Sequence, residues 1–173
     1  MIFVLQLILL RARYYYYYYY HSTGVAGGSW FAHTGAAANR LCLTMTPELD
    51  NETKTQYTGY LYGMEYQAIS GHHDQDVPCS VCRAPQSTTI MVPATRTCPP
   101  GWTTQYGGIL VSGYYQHSAA SEYLCLDGEP EDMPNGQANK DGSTIYYTLT
   151  RCGSLPCPPY SNDQVVTCVV CSK

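Results

Sequence analysis

Nine cysteines are the residues of this 173-residue chain whose type and spacing could do chemistry. Four of them form two C-x-x-C pairs, Cys79/Cys82 and Cys168/Cys171, and thiolates at that spacing can chelate zinc or act as a redox couple. The pairs are too far apart in sequence for a zinc ribbon, and both lie in Val-rich, strand-like segments rather than at a helix start. So many cysteines in a short chain are typical of disulfides formed in an oxidising compartment, which predicts an extracellular, secreted protein.

Two polar segments are further candidate ligand sets. His72, His73, Asp74 and Asp76 could hold a divalent ion, since imidazoles and carboxylates lie close together there. An acidic run offers the oxygen ligands that calcium prefers, but without the D-x-[DN]-x-[DN]-G spacing that places them. Solvated loops are the commoner outcome for both, so we predict no metal site and no cofactor. The acidic run consists of Asp127, Glu129, Glu131 and Asp132.

No sequence pattern for catalysis or for nucleic-acid binding is present. Ser, His and Asp residues occur, but not in G-x-S-x-G, H-E-x-x-H or a phosphate-binding loop. His33 and His117 recur at equivalent places, which predicts a shared structural hydrogen bond rather than two catalytic bases. The net charge is −4 and Lys and Arg form no patch that could bind a phosphate backbone. We therefore expect a protein that is neither an enzyme nor a nucleic-acid binder.

The first 23 residues form a signal-like or aberrant N-terminus. Ile2 to Leu10 is apolar but shorter than the about 20 residues that a membrane span needs, so we expect no membrane span. It has the core length of a secretory signal but lacks a preceding basic residue and a small-x-small cleavage site. Tyr14 to Tyr20 is a run of seven tyrosines. A simple-repeat expansion or a misassigned gene start explains the run as well as a function does.

The elements that must position these residues are predicted to be short strands. The chain is only 13% charged and contains 15 Gly, 11 Pro and 18 Tyr, which favours strands and turns over long helices. Tyr60, Tyr62, Met64 and Tyr66 alternate along one face of a period-2 run. Ser143 to Thr150 and Val165 to Val170 are rich in β-branched and aromatic residues. The predicted class is therefore all-β, or β-rich.

The second half of the chain repeats the first. His33 to Leu43 (HTGAAANRLCL) matches His117 to Leu126 (HSAASEYLCL), and Val77 to Arg83 (VPCSVCR) matches Val166 to Ser172 (VTCVVCS). We predict two tandem pseudo-repeat units stapled by disulfides, residues 24–86 and residues 87–173. Cys98 opens the second unit, whereas the tyrosine run occupies the equivalent place before Cys42, so the first unit is predicted to lack its leading cysteine and its opening strand.

The motifs resemble a known family. CSVCRAP followed by CPPGW, a Gly/Tyr-rich segment, Cys-Leu and a closing C-x-x-C are similar to the tandem non-collagenous C-terminal domain of type IV collagen. The resemblance is closer to the short-chain, type-IV-like collagens of sponges and to related proteins of cnidarians and molluscs, and it covers roughly residues 24–173. It implies a disulfide-bonded, β-rich extracellular-matrix protein. The chain has no Gly-X-Y repeat and cannot itself form a triple helix.

The resemblance also implies a pairing of the cysteines, in which the first of a unit bonds to the last and the second to the penultimate. Cys82 would be left as a free thiol. The implied bonds are Cys42 with Cys79, Cys98 with Cys171, Cys125 with Cys168, and Cys152 with Cys157.

Two functions are consistent with these features. The leading one is a non-enzymatic matrix protein that binds itself, as a homo-oligomer, or other matrix proteins, because tyrosines are large, amphipathic contact residues. The alternative is a secreted module that recognises glycans or microbial surfaces. Asn51-Glu52-Thr53 is an N-glycosylation sequence in a polar stretch, and Asn51 is its acceptor. The residues that could stack on sugars are Trp30, Tyr60, Tyr62 and Trp102.

Overall fold

The chain folds into β-strands and turns. The computed structural model describes residues 20–52, 57–82, 84 and 86–173, and these contain nine strands and no helix. The all-β prediction is confirmed. The strands are β1 Tyr20–Gly28, β2 Leu41–Thr44, β3 Tyr62–Tyr66, β4 Pro78–Cys82, β5 Thr89–Pro93, β6 Thr103–Ser112, β7 Leu124–Asp127, β8 Ser143–Tyr147 and β9 Thr167–Ser172.

Two strands, β1 and β6, organise the sheet. β1 pairs antiparallel with β2, β3 and β4, and β6 pairs antiparallel with β7, β8 and β9. β5 extends the second set by pairing with β9. β3 and β8 pair in parallel, with Met64 opposite Ser143, and this contact joins the two sets.

The registers around β1 and β6 correspond residue by residue. Gly24 of β1 lies opposite Thr44 of β2 and Cys79 of β4. Gly108 of β6 lies opposite Asp127 of β7 and Cys168 of β9. Both positions require glycine, because a Cβ atom would overlap the backbone carbonyl of Leu43 at Gly24 and of Leu126 at Gly108. β1 and β6 thus hold the same place among their neighbours.

The hydrophobic core spans both halves of the chain. The larger buried cluster combines residues from the first half, such as Met64 and Tyr66, with Val111, Leu126 and Ile145 from the second. A smaller cluster is formed by side chains of β6, β7 and β9 and includes Leu110 and Val170. Burying apolar surface is worth about 25 cal/mol per Å², so this shared core ties the two halves together.

The observed strands differ in detail from the predicted ones. β3 begins at Tyr62, so Tyr60 precedes the strand and is exposed. Glu65 breaks the predicted alternation, because it is buried and its carboxylate accepts the backbone N–H groups of Lys140 and Asp141. The second predicted run ends at Tyr147 and the third begins at Thr167. β2, β5, β6 and β7 were not predicted as strands.

A strand, β1, lies at the start of the first predicted unit, whereas the predicted loss of an opening strand and a leading cysteine falls on positions before Tyr20, outside the described residues. β1 has three antiparallel neighbours, as β6 does, and it begins at Tyr20, the last residue of the tyrosine run. The tyrosine run therefore hid the start of a strand whose later residues are mostly small. The remaining predictions for residues 1–19 lie outside the described residues.

Candidate interaction surface

Nine aromatic rings form a continuous surface that crosses both halves of the chain, here called the aromatic surface. Each ring lies within 6.4 Å, centroid to centroid, of at least one other. Tyr60 is 62% exposed and Tyr115 is 82% exposed, so the surface is open to solvent. Its members are Trp30, Phe31, His33, Tyr60, Tyr62, Tyr114, Tyr115, His117 and Tyr146.

The first ring group consists of Trp30, Phe31, His33 and Tyr62. Trp30 stands at the centre, with its ring centroid 5.3 Å from Phe31, 6.3 Å from His33 and 5.1 Å from Tyr62. His33 and Tyr62 meet edge to face at 5.8 Å. These separations are those of favourable aromatic pairs.

The second ring group consists of Tyr114, Tyr115, His117 and Tyr146, each 84 positions after its counterpart. Tyr114 lies 4.7 Å from Tyr115, 5.2 Å from His117 and 5.3 Å from Tyr146. His117 and Tyr146 meet edge to face at 5.7 Å, as His33 and Tyr62 do. The four ring contacts of the first group thus recur in the second.

Two loops carry most of these rings, one after β1 and one after β6. In each loop a backbone hydrogen bond closes a tight turn, with His33 N–H donating to Trp30 O at 3.0 Å and His117 N–H donating to Tyr114 O at 3.0 Å. Each histidine therefore makes the same kind of hydrogen bond within its own loop, through its backbone N–H rather than its ring.

Backbone hydrogen bonds join the two loops to each other and to the start of β8. Phe31 donates its N–H to Gly142 O at 2.9 Å and accepts the N–H of Ala119 at 3.1 Å. Phe31 also packs against the His117 ring at 4.4 Å, which links the ring groups. The surface therefore rests on a framework that both halves supply.

The environment favours the protonated phenols of Tyr114 and Tyr146 in the second ring group. A hydrogen bond with Tyr115 raises the pKa of Tyr114, and burial raises the pKa of Tyr146. Burial lowers the pKa of His117, against an opposing effect of Asp141. At neutral pH these side chains are uncharged, so they can donate hydrogen bonds while stacking on a partner.

The cysteines form four disulfides and one free thiol. Cys82 is free and half-buried at the end of β4, and burial raises the pKa of its thiol. The bonds are those implied by the resemblance, and three of the four C-x-x-C cysteines are bonded to cysteines outside their own pair, so neither pair is an intact dithiol. They join Cys42 to Cys79, Cys98 to Cys171, Cys125 to Cys168, and Cys152 to Cys157.

Neither candidate metal segment gathers a ligand set in the part of the chain that the structure describes. His72 pairs with Asp132 at 2.7 Å, which draws one residue from each segment together. Asp76 pairs with Lys140 at 2.7 Å. Asp127 is nearly buried, and its carboxylate accepts the backbone N–H of Glu129 at 2.9 Å. These carboxylates therefore make ion pairs and hydrogen bonds that hold the loops in place.

Some of the other predicted site residues belong to the aromatic surface, and the rest lie outside it. Trp30, Tyr60 and Tyr62 come together in the aromatic surface. Trp102 is half-buried in a turn where its backbone N–H donates to Pro99 O at 3.1 Å, and it makes no ring contact with the described members of the surface. Asn51 is exposed, whereas Thr53 of its glycosylation sequence lies outside the described residues.

Sequence reasoning missed Phe31, Tyr114, Tyr115 and Tyr146 as surface members. Their signal was the repeat itself, since aligning the two halves on His33 and His117 sets Trp30 beside Tyr114 and Phe31 beside Tyr115. Tyr62 of β3 and Tyr146 of β8 align when the same offset of 84 positions is applied to these strands. Arg40 lines a pocket together with Phe31 and His117. The repeat did not point to it, because the residue at its place in the second half, Tyr123, is not basic.

No family model matches this chain. No solved structure matches it either. Within the described residues, no helix has the length and apolar character needed to cross a membrane. The four disulfides fit a protein that folds in an oxidising compartment.

Proposed function

We propose that this protein is a secreted, non-enzymatic structural protein of the extracellular matrix, akin to the short-chain, type-IV-like collagens, and that it binds through its aromatic surface. The disulfide framework supports the extracellular location, since reducing compartments rarely permit four bonds in one small chain. The pairing of the cysteines supports the kinship, because it follows the pattern implied by the motifs.

We further propose that residues 24–86 and 87–173 are two structural repeats that share one core. Equivalent registers around β1 and β6 support this. A further support is the pair of hydrogen bonds from Ala26 N–H to Val77 O, at 2.9 Å, and from Leu110 N–H to Val166 O, at 2.8 Å. The recurrence of four ring contacts 84 positions later supports it independently of the backbone.

The observation that carries the binding role is the continuity of exposed rings across both halves. Contiguous exposed aromatic surface on a folded protein is typical of an interaction site, and Tyr and Trp contribute much of the energy at interfaces. Because the two ring groups offer the same chemistry twice, a second copy of the chain would present a self-complementary face. We therefore expect the partner to be another copy.

Size-exclusion chromatography with light scattering tests this role on the oxidised protein. The expected result is a defined oligomer whose proportion rises with concentration. A monomer at all concentrations, with no binding to matrix components, would overturn the proposal.

Glycan recognition is the second candidate, favoured by the proximity of Trp30, Tyr60 and Tyr62. Tyr60 and Tyr62 lie 6.4 Å apart, and Tyr62 lies 5.1 Å from Trp30. Such a row of rings can stack on the apolar faces of sugars. A specific signal on a glycan array from a monomeric protein would favour this candidate over self-association.

A further inference from the structure

A cavity of about 340 Å³, partly open to solvent, lies between the loop after β3 and the loop after β7. Its volume falls in the range of typical binding pockets, and it shares no lining residue with the aromatic surface. Residues of β6 and β8 complete the lining. The residues that line it include Ser70, Ile109, Asp127, Glu129, Pro130 and Tyr147.

Part of the cavity lining is apolar and accessible. Ile109, Pro130 and Tyr147 are each half-buried, so each keeps some exposed surface. The Tyr147 hydroxyl accepts the backbone N–H of Ser70 at 3.2 Å, and this bond holds the ring against the first loop. An aliphatic chain can pack against such a lining, and a cation can lie against the tyrosine ring.

Two carboxylates, those of Asp127 and Glu129, line the same cavity. Glu129 is exposed, whereas Asp127 is only 9% exposed. Asp127 Oδ1 accepts the backbone N–H of Glu129 at 2.9 Å, and within the described residues Asp127 forms no ion pair. Because a carboxylate removed from water without a counter-ion is costly, the cavity favours a positive occupant beside Asp127.

The neighbouring side chains do not neutralise Asp127. Burial raises the pKa of the Tyr106 phenol and the charge of Asp127 raises it further, but the Tyr106 hydroxyl donates to Cys125 O at 2.8 Å. Among the described residues that line the cavity, only His72 can become cationic, and its Nδ1 lies 2.7 Å from Asp132 Oδ1. The described lining therefore offers acidic and apolar groups without a lysine or an arginine.

We propose that this cavity binds the side chain of an arginine or lysine presented by a partner protein. The aliphatic stem would pack against Ile109 and Pro130. The charged head would lie beside Asp127, Glu129 and the ring of Tyr147. A small cation has no stem to use the apolar lining, and an aliphatic side chain has no charge to offset the carboxylates. This second binding surface does not rest on the proposed matrix role.

An NMR titration of the oxidised, isotope-labelled full chain tests the site, with a capped Gly-Arg-Gly peptide and a capped Gly-Lys-Gly peptide as probes. We expect saturable shifts of the backbone amide signals of Ser70, Gly128 and Glu129, with a Kd of about 1 mM or tighter. A Gly-norleucine-Gly peptide keeps the stem without the charge and should bind about tenfold more weakly or worse. No saturable shift with either basic peptide, or equal binding of the norleucine peptide, would overturn the proposal.

Charge-removing variants locate the site. Asp127→Asn keeps an oxygen that can accept the N–H of Glu129 and should weaken binding of the arginine peptide about tenfold. Glu129→Gln, at an exposed position that tolerates substitution, should weaken it about threefold. Glu48→Gln is the control, because Glu48 is exposed and does not line the cavity, and it should leave the Kd unchanged. The same Kd in both cavity variants as in the unmodified protein would overturn the proposal.

Discussion

The imidazole of His117 packs 4.4 Å from the ring of Phe31, although the two residues belong to different halves of the chain. The contact links the two ring groups, and both residues line a small cavity together with Arg40. Tyr114 and Tyr146 enclose the same imidazole from the second half. A charge on His117 would therefore be felt by both halves.

Acidification should destabilise the protein through His117. Burial lowers its folded-state pKa below 6.5, against Asp141, and Arg40 lines the same cavity. The unfolded chain therefore binds the proton more readily, and the stabilising contribution, complete above about pH 6.5, is lost as the pH falls through the folded pKa. Urea unfolding between about pH 7.5 and about pH 5 measures this loss.

His117→Gln should flatten this pH dependence relative to the unmodified protein. His33→Gln is the matched control, because His33 holds the counterpart position and is exposed, and it should leave the dependence in place. Parallel curves for His117→Gln and the unmodified protein would contradict the prediction.

Alanine at Gly24 or at Gly108 should destabilise the protein to a similar degree. Each new Cβ would overlap a carbonyl of the adjacent strand, so the backbone must shift, at a cost of about 2–4 kcal/mol. Gly63→Ala, in β3, has no atom within 4 Å of its new Cβ and should change the unfolding free energy by less than about 1 kcal/mol. Chemical denaturation compares the three, and a large loss at only one of the paired glycines would argue against equivalent strands.

The disulfides should differ in their contribution to stability. Cys125–Cys168 spans 43 residues and is buried, so replacing both cysteines by serine should cost about 4 kcal/mol from chain entropy alone, and more from lost packing. Cys152–Cys157 spans 5 residues between exposed cysteines, and its loss should cost about 2 kcal/mol. Equal losses of Tm in the two double-serine variants would contradict this ranking.

Alkylation without reduction should detect one thiol. In denaturant the intact mass should rise by a single adduct, which Cys82→Ser should abolish. In the folded protein the reaction should be slower, because burial raises the thiol pKa and shields the sulfur. Two or more adducts in denaturant would show that the four-disulfide framework is incomplete.

The sequence predicted the β class and the cysteine framework because both depend on residue type and local spacing. It missed β1 because a uniform tyrosine run carries no alternation. It also missed β2, β5, β6 and β7, of which β2 and β7 have only four residues and β5 ends in proline. Burial of Glu65 could not be foreseen, since its partners, the N–H groups of Lys140 and Asp141, lie about 75 positions away. The aromatic surface was only partly predicted, because its rings meet across loops that long-range hydrogen bonds align.

Sedimentation velocity of single-tyrosine variants tests the binding role of the aromatic surface most directly. Tyr60→Ser and Tyr115→Ser remove exposed rings from the surface, and Tyr123→Ser is the matched control, since Tyr123 is 59% exposed and makes no ring contact with the described surface members. We predict that each surface variant weakens self-association by about tenfold or more while Tyr123→Ser leaves it unchanged. Equal association constants for all three variants and the unmodified protein would contradict a binding role for this surface.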